Sequence, residues 1–536
     1  MCRPRSALAA VTALAVTAVL TTACAPSPPP AGGAVSDATL TIATTTDVVN
    51  YNPLIGNSRS DYWITNLMYP HLLSIEPNGA KGPELAEKWG YTNETTGFYE
   101  IRSGMKWSDG QPLTAKDVAY TLNAVKHDKP AGTLYGQLAN FDSATAVSDT
   151  RVEVKLTHPD SSLIPEVGFW GNIVPEHVFE PAGSVAKFAN DGSKGGWVSA
   201  GPYVLTGVQR GQSYTMKRVD DYPLVPGGKP KAAQIVYRVY PDVNTEILAL
   251  KNGDVDVIAN SLPPAQVKQL QSASGIKVAE APGLGYAHLT YNMTKPDLAK
   301  KDVRLALAHA VDYNAIRRVV LQGQAVSTGS SPLMPVLSAF YDKSVTEYEY
   351  NPGLSRQLLT QAGYQADANG NFPLSFRLIY SLQDPVTAQW ATLVKDGAAK
   401  AGVTIQLQGI ERNTYLAMTD KGDFDIYAGN FAIMDDPATN MSLAYLPQGS
   451  INYSYVDDPA LNALIDKARV TFDQAAQVPF MRDAAKLVHD NVYDNIMYTQ
   501  NLYLAYRSAW SGFVAKPSEL LSIVNPISVA SAAKTG

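Results

Sequence analysis

The alternation of apolar and polar residues predicts short strands at several places along the chain. Residues 39–45 alternate apolar and β-branched residues, and residues 98–102 form a second such run that ends before Ser103 and Gly104. A period of two is typical of strands, and Ser and Gly are typical of the turns that end them. We therefore expect strands in both segments.

Apolar residues at helical spacing predict helices that alternate with strands. Residues 244–250 precede Gly253 and a strand-like run at 255–259, and residues 394–401 precede Gly402 and a run at 403–407. Further helical patterns occupy the following segments: 302–321, with Asp312 as an internal cap, 461–465 and 484–488. Helices between strands favour an α/β fold with partly parallel sheets.

Another helix is predicted from residue 114 onward. Thr114 and Asp117 have the spacing of a capping box, in which each side chain accepts from the other residue's backbone N–H. Val118, Leu122 and Val125 would then lie on one apolar face.

The first residues predict an export signal rather than part of the fold. Arg3 and Arg5 precede an apolar run at 7–20, which is shorter than the about 20 residues that a membrane span needs. We expect residues 1–23 to be a signal peptide and 24–36 a Pro/Gly linker. The position of Cys24 resembles the lipidated cysteine of bacterial lipoproteins, although Thr21 stands where that pattern has Leu. The alternatives are a lipid anchor on Cys24 and secretion with Cys24 unpaired.

Composition and motifs exclude several classes of protein. The formal net charge of −6 argues against nucleic-acid binding, and the two cysteines, Cys2 and Cys24, exclude a disulfide-stapled body. The zinc-peptidase, Gly-x-Ser-x-Gly and phosphate-loop patterns are absent from the sequence, so we expect neither an enzyme nor a metal or other cofactor. His309 is predicted to pack in a core. The pairs at 435–436 and 457–458 precede Pro and are predicted to begin turns.

Two long motifs carry a family resemblance. Residues 82–89 have the sequence Gly-Pro-Glu-Leu-Ala-Glu-Lys-Trp, and residues 107–118 have Trp-Ser-Asp-Gly-Gln-Pro-Leu-Thr-Ala-Lys-Asp-Val. Further matches lie at 199–203, 250–256, 291–292, 302–312 and 422–426. Together they resemble the family 5 extracellular solute-binding proteins, the oligopeptide-, dipeptide- and nickel-binding components of ABC importers.

The resemblance implies a two-lobed α/β, periplasmic-binding-protein-like fold with two hinge segments. Lobe one is expected at 37–285, with an extra subdomain at about 80–198, and lobe two at 286–503. Residues 504–536 are expected to return to lobe one. Within the signature, Gly110, Pro112 and Thr114 are interpreted as structural residues, namely a turn, a rigid link and a helix cap.

The resemblance also implies where the ligand lies. Two loops, 56–62 and 429–437, are expected to line the cleft, and the predicted ligand-binding residues are Ser58, Arg59, Ser60, Tyr286, Asn430, Phe431 and Ile433. Arg59 is either an anchor for a carboxylate or phosphate or a solvated loop residue.

The usual anchors for a peptide's two ends are missing from this sequence. In peptide binders of the family an Asp of the second loop pairs with the peptide ammonium, but that position is Ile433 here, and the family's Trp is Asn430. The Arg that holds the carboxylate aligns near Ser381, and no Arg occurs between Leu382 and Lys395. A buried ammonium without a counter-charge would be costly.

These observations predict a monomeric lipoprotein on the outer face of the cytoplasmic membrane. It would capture a peptide by hinge closure and deliver it to the permease subunits of an ABC importer. A non-peptide solute, such as an oligosaccharide or a siderophore-like compound, is the first alternative. A non-transporting envelope scaffold or regulator and a secreted hydrolase are the others.

Overall fold

The computed structural model describes residues 38–55, 58–193, 195–518 and 522–535. The predicted signal peptide, the linker and Cys24 lie outside these residues. Within the described ranges, no helix combines the length and the apolar character that a membrane crossing requires.

The first lobe is built on a mixed sheet that comprises, in the described residues, seven strands. Their spatial order is Ile276–Ala281, Leu502–Arg507, Val257–Ile258, Thr39–Thr44, Gln234–Val239, Ser213–Arg218 and Tyr203–Gln209. The predicted strand Thr39–Thr44 is confirmed and lies inside the sheet, parallel to both of its neighbours. The helices that belong to this part are Arg59–Thr65, Val243–Asn252, Pro264–Gln271 and Pro526–Ser531.

An extra subdomain (residues 81–198) adds a second, antiparallel sheet to the first lobe. Its strands follow the order Ala86–Asn93, Thr96–Ile101, Arg151–Leu156 and Phe141–Ala146. Its helical segments are Ala115–Asp128, Thr133–Gln137, Leu163–Trp170, Glu176–Phe179 and the 3-10 turn Glu180–Ala182. The predicted capping box is confirmed: Thr114 accepts from the backbone of the first turn, and Asp117 accepts from the Thr114 N–H.

The second lobe has its own mixed sheet. The strands that the described residues contribute follow the order Ala325–Val326, Asn495–Gln500, Tyr286–Tyr291, Ile426–Phe431, Ser375–Ser381 and Thr404–Ile410. Ser375–Ser381 runs parallel to both of its neighbours, as the predicted helix–strand unit requires. The helical segments are Pro296–Ala299, Lys301–His309, Tyr313–Ala315, the π-helical turn Ile316–Val320, Pro352–Gln361, Pro385–Lys400, Arg412–Asp420, Pro437–Tyr445, Pro459–Arg469 and Gln474–Asp490.

Short strand pairs complete the fold. Leu73–Ile75 pairs with Lys81–Pro83, and Trp510–Ser511 pairs with Ala533–Lys534. The chain passes between the two main sheets at residues 282–285 and again at Asn501. These two crossings lie side by side, since Leu502 pairs with Ala281 on the first-lobe side.

Two sequence predictions on polar residues are wrong. The pairs at 435–436 and 457–458 do not begin turns: Asp436 and Asp458 each accept backbone N–H groups at the start of a helix whose first residue is Pro. An acidic cap followed by Pro is a helix start, because Pro lacks only an N–H that the first turn leaves unused. His309 is half-buried at a helix end, where its ring contacts Tyr348, and does not lie in a core.

Each lobe has its own apolar core, and a further cluster joins them. That cluster, called here the interlobe cluster, consists of the buried residues Ile75, Phe169, Leu284, Tyr286, Met334, Leu337, Met434 and Ile496. It takes members from strands of both lobes and from the first crossing. The lobes therefore meet through a packed apolar centre.

Candidate functional site

A cavity of about 500 Å³, called here the hinge cavity, lies beside the two crossings. Its walls are Ser261–Pro264 of the first lobe, Gly283–Gly285, Asn501 and Leu502 at the crossings, Tyr286, Ala287, Asp384–Thr387, Asn430–Ala432, Tyr498 and Gln500 of the second lobe, and Pro517. The volume falls within the range of about 300–1,000 Å³ that is typical of small-molecule sites. Because both lobes and both crossings contribute, a ligand here would contact every part that moves in hinge closure.

Charge in the hinge cavity comes, among its described lining residues, from Asp384 alone. Asp384 caps the helix Pro385–Lys400 by accepting from the backbone N–H of Thr387 at 3.0 Å and from its hydroxyl at 2.7 Å. The Asn430 amide donates to the same carboxylate at 3.1 Å. The cavity therefore has one oriented carboxylate in a mostly uncharged wall.

Aromatic rings form another part of this wall. Tyr286 and Phe431 meet edge to face with ring centroids 5.7 Å apart, and Tyr498 lines the same cavity. Burial raises the pKa of Tyr286 well above its usual value, so its hydroxyl stays protonated. Rings with a polar tip suit a site that binds both apolar and polar parts of a ligand.

A buried polar network lies behind this aromatic wall, and sequence reasoning missed it. His288 Nδ1 lies 2.8 Å from Asp494 Oδ2, and the Tyr445 hydroxyl donates to the same oxygen at 3.2 Å. The Thr290 hydroxyl donates to the other oxygen at 3.1 Å. The alternation of Tyr286, His288 and Thr290 along one strand was the available signal, since alternate residues share a face.

The structure brings Tyr286, Asn430 and Phe431 together, and it places the other predicted residues elsewhere. Ser58 begins the helix Arg59–Thr65, where a loop was expected, and its hydroxyl accepts from the Asp61 N–H. Ser60 is buried and donates to the Asp47 carbonyl oxygen at 2.7 Å. Gly56, Asn57 and the side chain of Arg59 lie outside the described parts of the structure. Ligand contacts by Ser58, Arg59 and Ser60 stay predictions.

Ile433 is half-buried between the hinge cavity and the interlobe cluster. Its neighbour Ala432 lines the cavity, whereas Met434 packs in the cluster and donates its N–H to the Leu284 carbonyl oxygen at 2.8 Å. Residue 433, where peptide binders of the family have the Asp that pairs with the peptide ammonium, therefore lies next to the hinge cavity. Whether Ile433 contacts a ligand stays a prediction.

A second cavity of about 530 Å³, called here the rim cavity, lies between the extra subdomain and the second lobe. The subdomain contributes Lys81, Trp89–Tyr91, Ser161 and Pro165, together with Asn78–Ala80 just before it, and the second lobe contributes Leu337–Phe340, Asp435–Pro437, Thr471, Phe472, Gln474 and Gln477. Leu337 of this lining belongs to the interlobe cluster, as do Leu284 and Tyr286 of the hinge cavity. The cluster thus borders both cavities.

Three charged residues, Lys81, Asp435 and Asp436, line the rim cavity. Lys81 contacts Asp435 of the second lobe directly, and its Nζ lies 3.1 Å from Glu166 Oε1 of its own subdomain. The side chains of Lys81, Glu166 and Asp435 are only 11%, 4% and 2% exposed. The Ser162 hydroxyl donates to Asp436 at 2.8 Å. The extra subdomain and the second lobe therefore contact each other directly at the rim cavity.

Burial and neighbouring charges shift the pKa values of the ionisable groups at the rim cavity. Burial, followed by the charge of Asp435, raises the pKa of Glu166 to about 8, although Lys81 opposes the shift. Burial alone would lower the pKa of Lys81, but the charges of Asp435 and Glu166 raise it overall, so Lys81 stays protonated. Burial also raises the pKa of Asp436. The charge of Asp435 thus favours the neutral form of Glu166, and the charge of Lys81 favours its ionised form.

Further contacts extend this edge. Arg469 lies 3.2 Å from Asp160, and its carbonyl oxygen accepts from the Ser161 N–H at 2.8 Å. The rings of Tyr91 and Phe472 meet with centroids 4.6 Å apart. Among the described residues no group of three or more His, Cys, Asp or Glu side chains has the arrangement of a metal site.

Comparison with known proteins identifies relatives along most of the chain. The family model "Bacterial extracellular solute-binding proteins, family 5 Middle" matches residues 82–452. The chain is 24% identical to the probable D,D-dipeptide-binding periplasmic protein DdpA of Escherichia coli K12, over 91% of this chain and 94% of that protein. It is 26% identical to the dipeptide-binding protein of the same organism, over 87% and 90%.

Solved structures agree with the fold. The ABC transporter substrate-binding protein CtaP of Listeria monocytogenes superposes with a TM-score of 0.83 at 23% identity, over 93% of this chain and 99% of that one. The oligopeptide-binding protein AppA of Bacillus subtilis, in complex with a nonapeptide, superposes with a TM-score of 0.73 at 20% identity, over 93% and 99%. The two-lobed α/β fold that was expected from the signature motifs is confirmed.

Proposed function

Because this chain belongs to the bacterial extracellular solute-binding proteins of family 5, we propose that it captures an oligopeptide and delivers it to an ABC importer. The observation that carries the proposal is the hinge cavity, whose walls come from both lobes and both crossings. The names of the E. coli relatives and of the AppA complex support a peptide as the class of ligand. The protein acts by binding and not by catalysis.

Hinge closure is the mechanism. A ligand that contacts both lobes stabilises the closed arrangement by its differential affinity for that arrangement. In the hinge cavity the first lobe offers Ser261–Pro264, and the second lobe offers the start of the helix Pro385–Lys400 and the end of the strand Ile426–Phe431. An extended peptide would be held through its backbone and by packing against the aromatic wall, since the usual charged anchors are missing.

Finer features belong to the same proposal. We place the mature protein, as a monomer, on the outer face of the cytoplasmic membrane, held by a lipid on Cys24. Lobe one would run over 37–285 and lobe two over 286–503 as expected from the resemblance, except that Leu502 and Tyr503 already pair in the first-lobe sheet, so the return begins at 502 and not at 504. Ser58, Arg59, Ser60 and Ile433 would join Tyr286, Asn430 and Phe431 around the ligand. Intact-mass measurement of protein from a bacterial membrane fraction tests the lipid.

Native mass spectrometry of the purified protein tests the ligand class. The expected result is a bound species that releases peptides on fragmentation. A bound sugar or siderophore-like compound would correct the class of ligand. Protein without cargo that also fails to bind a pool of tri- to pentapeptides in calorimetry would contradict peptide capture and favour a scaffold role.

A further inference from the structure

Lys81 lies between two carboxylates that belong to opposite lobes. Glu166 comes from the helix Leu163–Trp170 of the extra subdomain, which also carries Lys81, whereas Asp435 precedes the helix Pro437–Tyr445 of the second lobe. The Lys81 ammonium also lies 3.9 Å from the centroid of the Phe169 ring. Lys81 and Glu166 therefore stay together at any hinge angle, but the contact with Asp435 exists only when the lobes meet.

A buried ion pair across a moving interface contributes to stability in a different way from an ion pair inside a rigid core. When the lobes separate, Asp435 regains water and Lys81 keeps Glu166, so neither charge is left buried alone. When the lobes meet, the charge of Asp435 must be matched by Lys81, because an unpaired buried carboxylate is strongly destabilising. The pair therefore favours one closed arrangement and penalises closures that misplace Asp435.

We propose that Lys81 and Asp435 form a latch, which sets the fraction of protein in the closed arrangement and thereby the ligand affinity without touching the ligand. The latch rests on the proposed function only for its effect on affinity, because closure can be measured without a ligand. The Ser162 hydroxyl donates to Asp436, the residue that follows Asp435, and this second contact between the lobes favours the same closed arrangement. Neither Lys81 nor Asp435 lines the hinge cavity. They are positioning residues.

Small-angle X-ray scattering of Asp435→Asn tests the latch. The radius of gyration is measured with and without the peptide Ser-Thr-Ser-Ala, and calorimetry measures the affinity for that peptide separately. We expect Asp435→Asn to lower the closed fraction and to weaken the peptide affinity about tenfold, because the amide cannot neutralise Lys81. Lys81→Met should act in the same direction, and the double variant should add little to the stronger single variant.

Matched controls come from an exposed pair on the second lobe. Lys486 lies 2.7 Å from Asp490 one helical turn away, and both side chains are exposed. Lys486→Met and Asp490→Asn repeat the same chemical changes and should leave the radius of gyration unchanged.

The possible outcomes separate the latch from the proposed function. A closed fraction that is equal in Asp435→Asn and in the natural protein would overturn the latch, as would a natural protein that shows no closed population with or without peptide. If the peptide fails to bind but Asp435→Asn still opens the protein, the latch stands and peptide capture is contradicted. Since Asp435 becomes solvent-exposed on opening, this variant should fold even if Lys81→Met does not.

Discussion

The two cavities between the lobes differ in their chemistry. The hinge cavity has aromatic rings, backbone groups and one helix-capping carboxylate, Asp384, whereas the rim cavity is lined by Lys81, Asp435 and Asp436, with Glu166 beside Lys81. The interlobe cluster lies between them. If the hinge cavity binds the peptide and Lys81 and Asp435 form the latch, the difference teaches that binding and closing use separate residues. The hinge side would offer a surface that tolerates varied ligands, and the rim side would offer charges that demand one geometry.

The largest expected effect comes from filling the hinge crossing. A Cβ at Gly285 would lie 1.9 Å from the Phe431 carbonyl oxygen, so Gly285→Val must push the crossing away from the second-lobe strand. We expect the free energy of unfolding to fall by about 3 kcal/mol, measured by urea denaturation. Gly136→Val is the control, because a Cβ there meets open space. Equal stability of the two variants would show that the hinge side is not tightly packed.

The charged groups at the rim cavity are expected to make closure depend on pH. Closing brings the charges of Asp435 and Asp436 of the second lobe to Glu166 and thereby raises its pKa, so closing takes up a proton. Because the pKa of Glu166 is higher in the closed arrangement, where it is about 8, closure is strongest at low pH, weakens as the pH rises, and loses nothing more above about pH 8. Peptide affinity should fall by up to about tenfold per unit between pH 6 and pH 8.

The variant Glu166→Gln isolates the group responsible for this slope. The groups that face Glu166 are Lys81, Asp435, Asp436, the Tyr99 hydroxyl and the Trp170 indole N–H, which donates to Glu166 at 3.2 Å. Glu166→Gln should keep the affinity at pH 6 and remove most of its pH dependence, as measured by calorimetry. Glu100→Gln, at an exposed position of the same subdomain, should keep the slope. If the pH dependence of the peptide affinity persists in Glu166→Gln, another group is responsible for it.

A smaller effect is expected from the hinge cavity wall. Asn430→Ala removes the amide that donates to Asp384 at 3.1 Å and leaves that carboxylate less oriented. We expect the affinity for the recovered peptide to fall about tenfold, since hydrogen bonds to charged groups contribute about 1.5–3 kcal/mol. The pH dependence should be unchanged, which distinguishes this wall from the rim. Asn413→Ala, at an exposed position of the second lobe, is the matched control.

The smallest effect is expected where neither cavity is involved. Thr114→Ala removes the cap of the helix Ala115–Asp128, none of whose residues lines either cavity. We expect a loss of about 1 kcal/mol in stability, visible as a lower melting temperature. Peptide affinity should stay within twofold. A larger loss of affinity would mean that the signature segment communicates with the cleft.

Local features of the fold were predictable because their causes lie within a few residues. The Thr114 box and the Gly253 stop both involve backbone groups less than one turn away, and both are found in the structure. Ser58 and Asp61 have the same spacing as Thr114 and Asp117, so the helix Arg59–Thr65 was available from the sequence. The same reasoning would have identified Asp436 as a cap.

The site was only partly predictable, for the opposite reason. Tyr286, Asn430 and Phe431 came from the family resemblance, which transfers positions and not contacts. Lys81 and Asp435 are 354 residues apart, and each alone is an ordinary charged residue in the sequence. Their pairing depends on how two lobes meet, which depends on the packing of the interlobe cluster and not on any local pattern.

The order of strands in the first-lobe sheet has a consequence for how the chain folds during synthesis. Leu502–Arg507 lies between Val257–Ile258 and Ile276–Ala281, so an inner place in that sheet stays empty until nearly the whole chain has been made. Closing so long a loop is slow, because its entropy is lost before the new contacts form. The second lobe shares this delay, because its strand Asn495–Gln500 has an inner place in its own sheet and ends just before Leu502. The main sheets of both lobes are therefore completed only when synthesis of the chain is nearly finished.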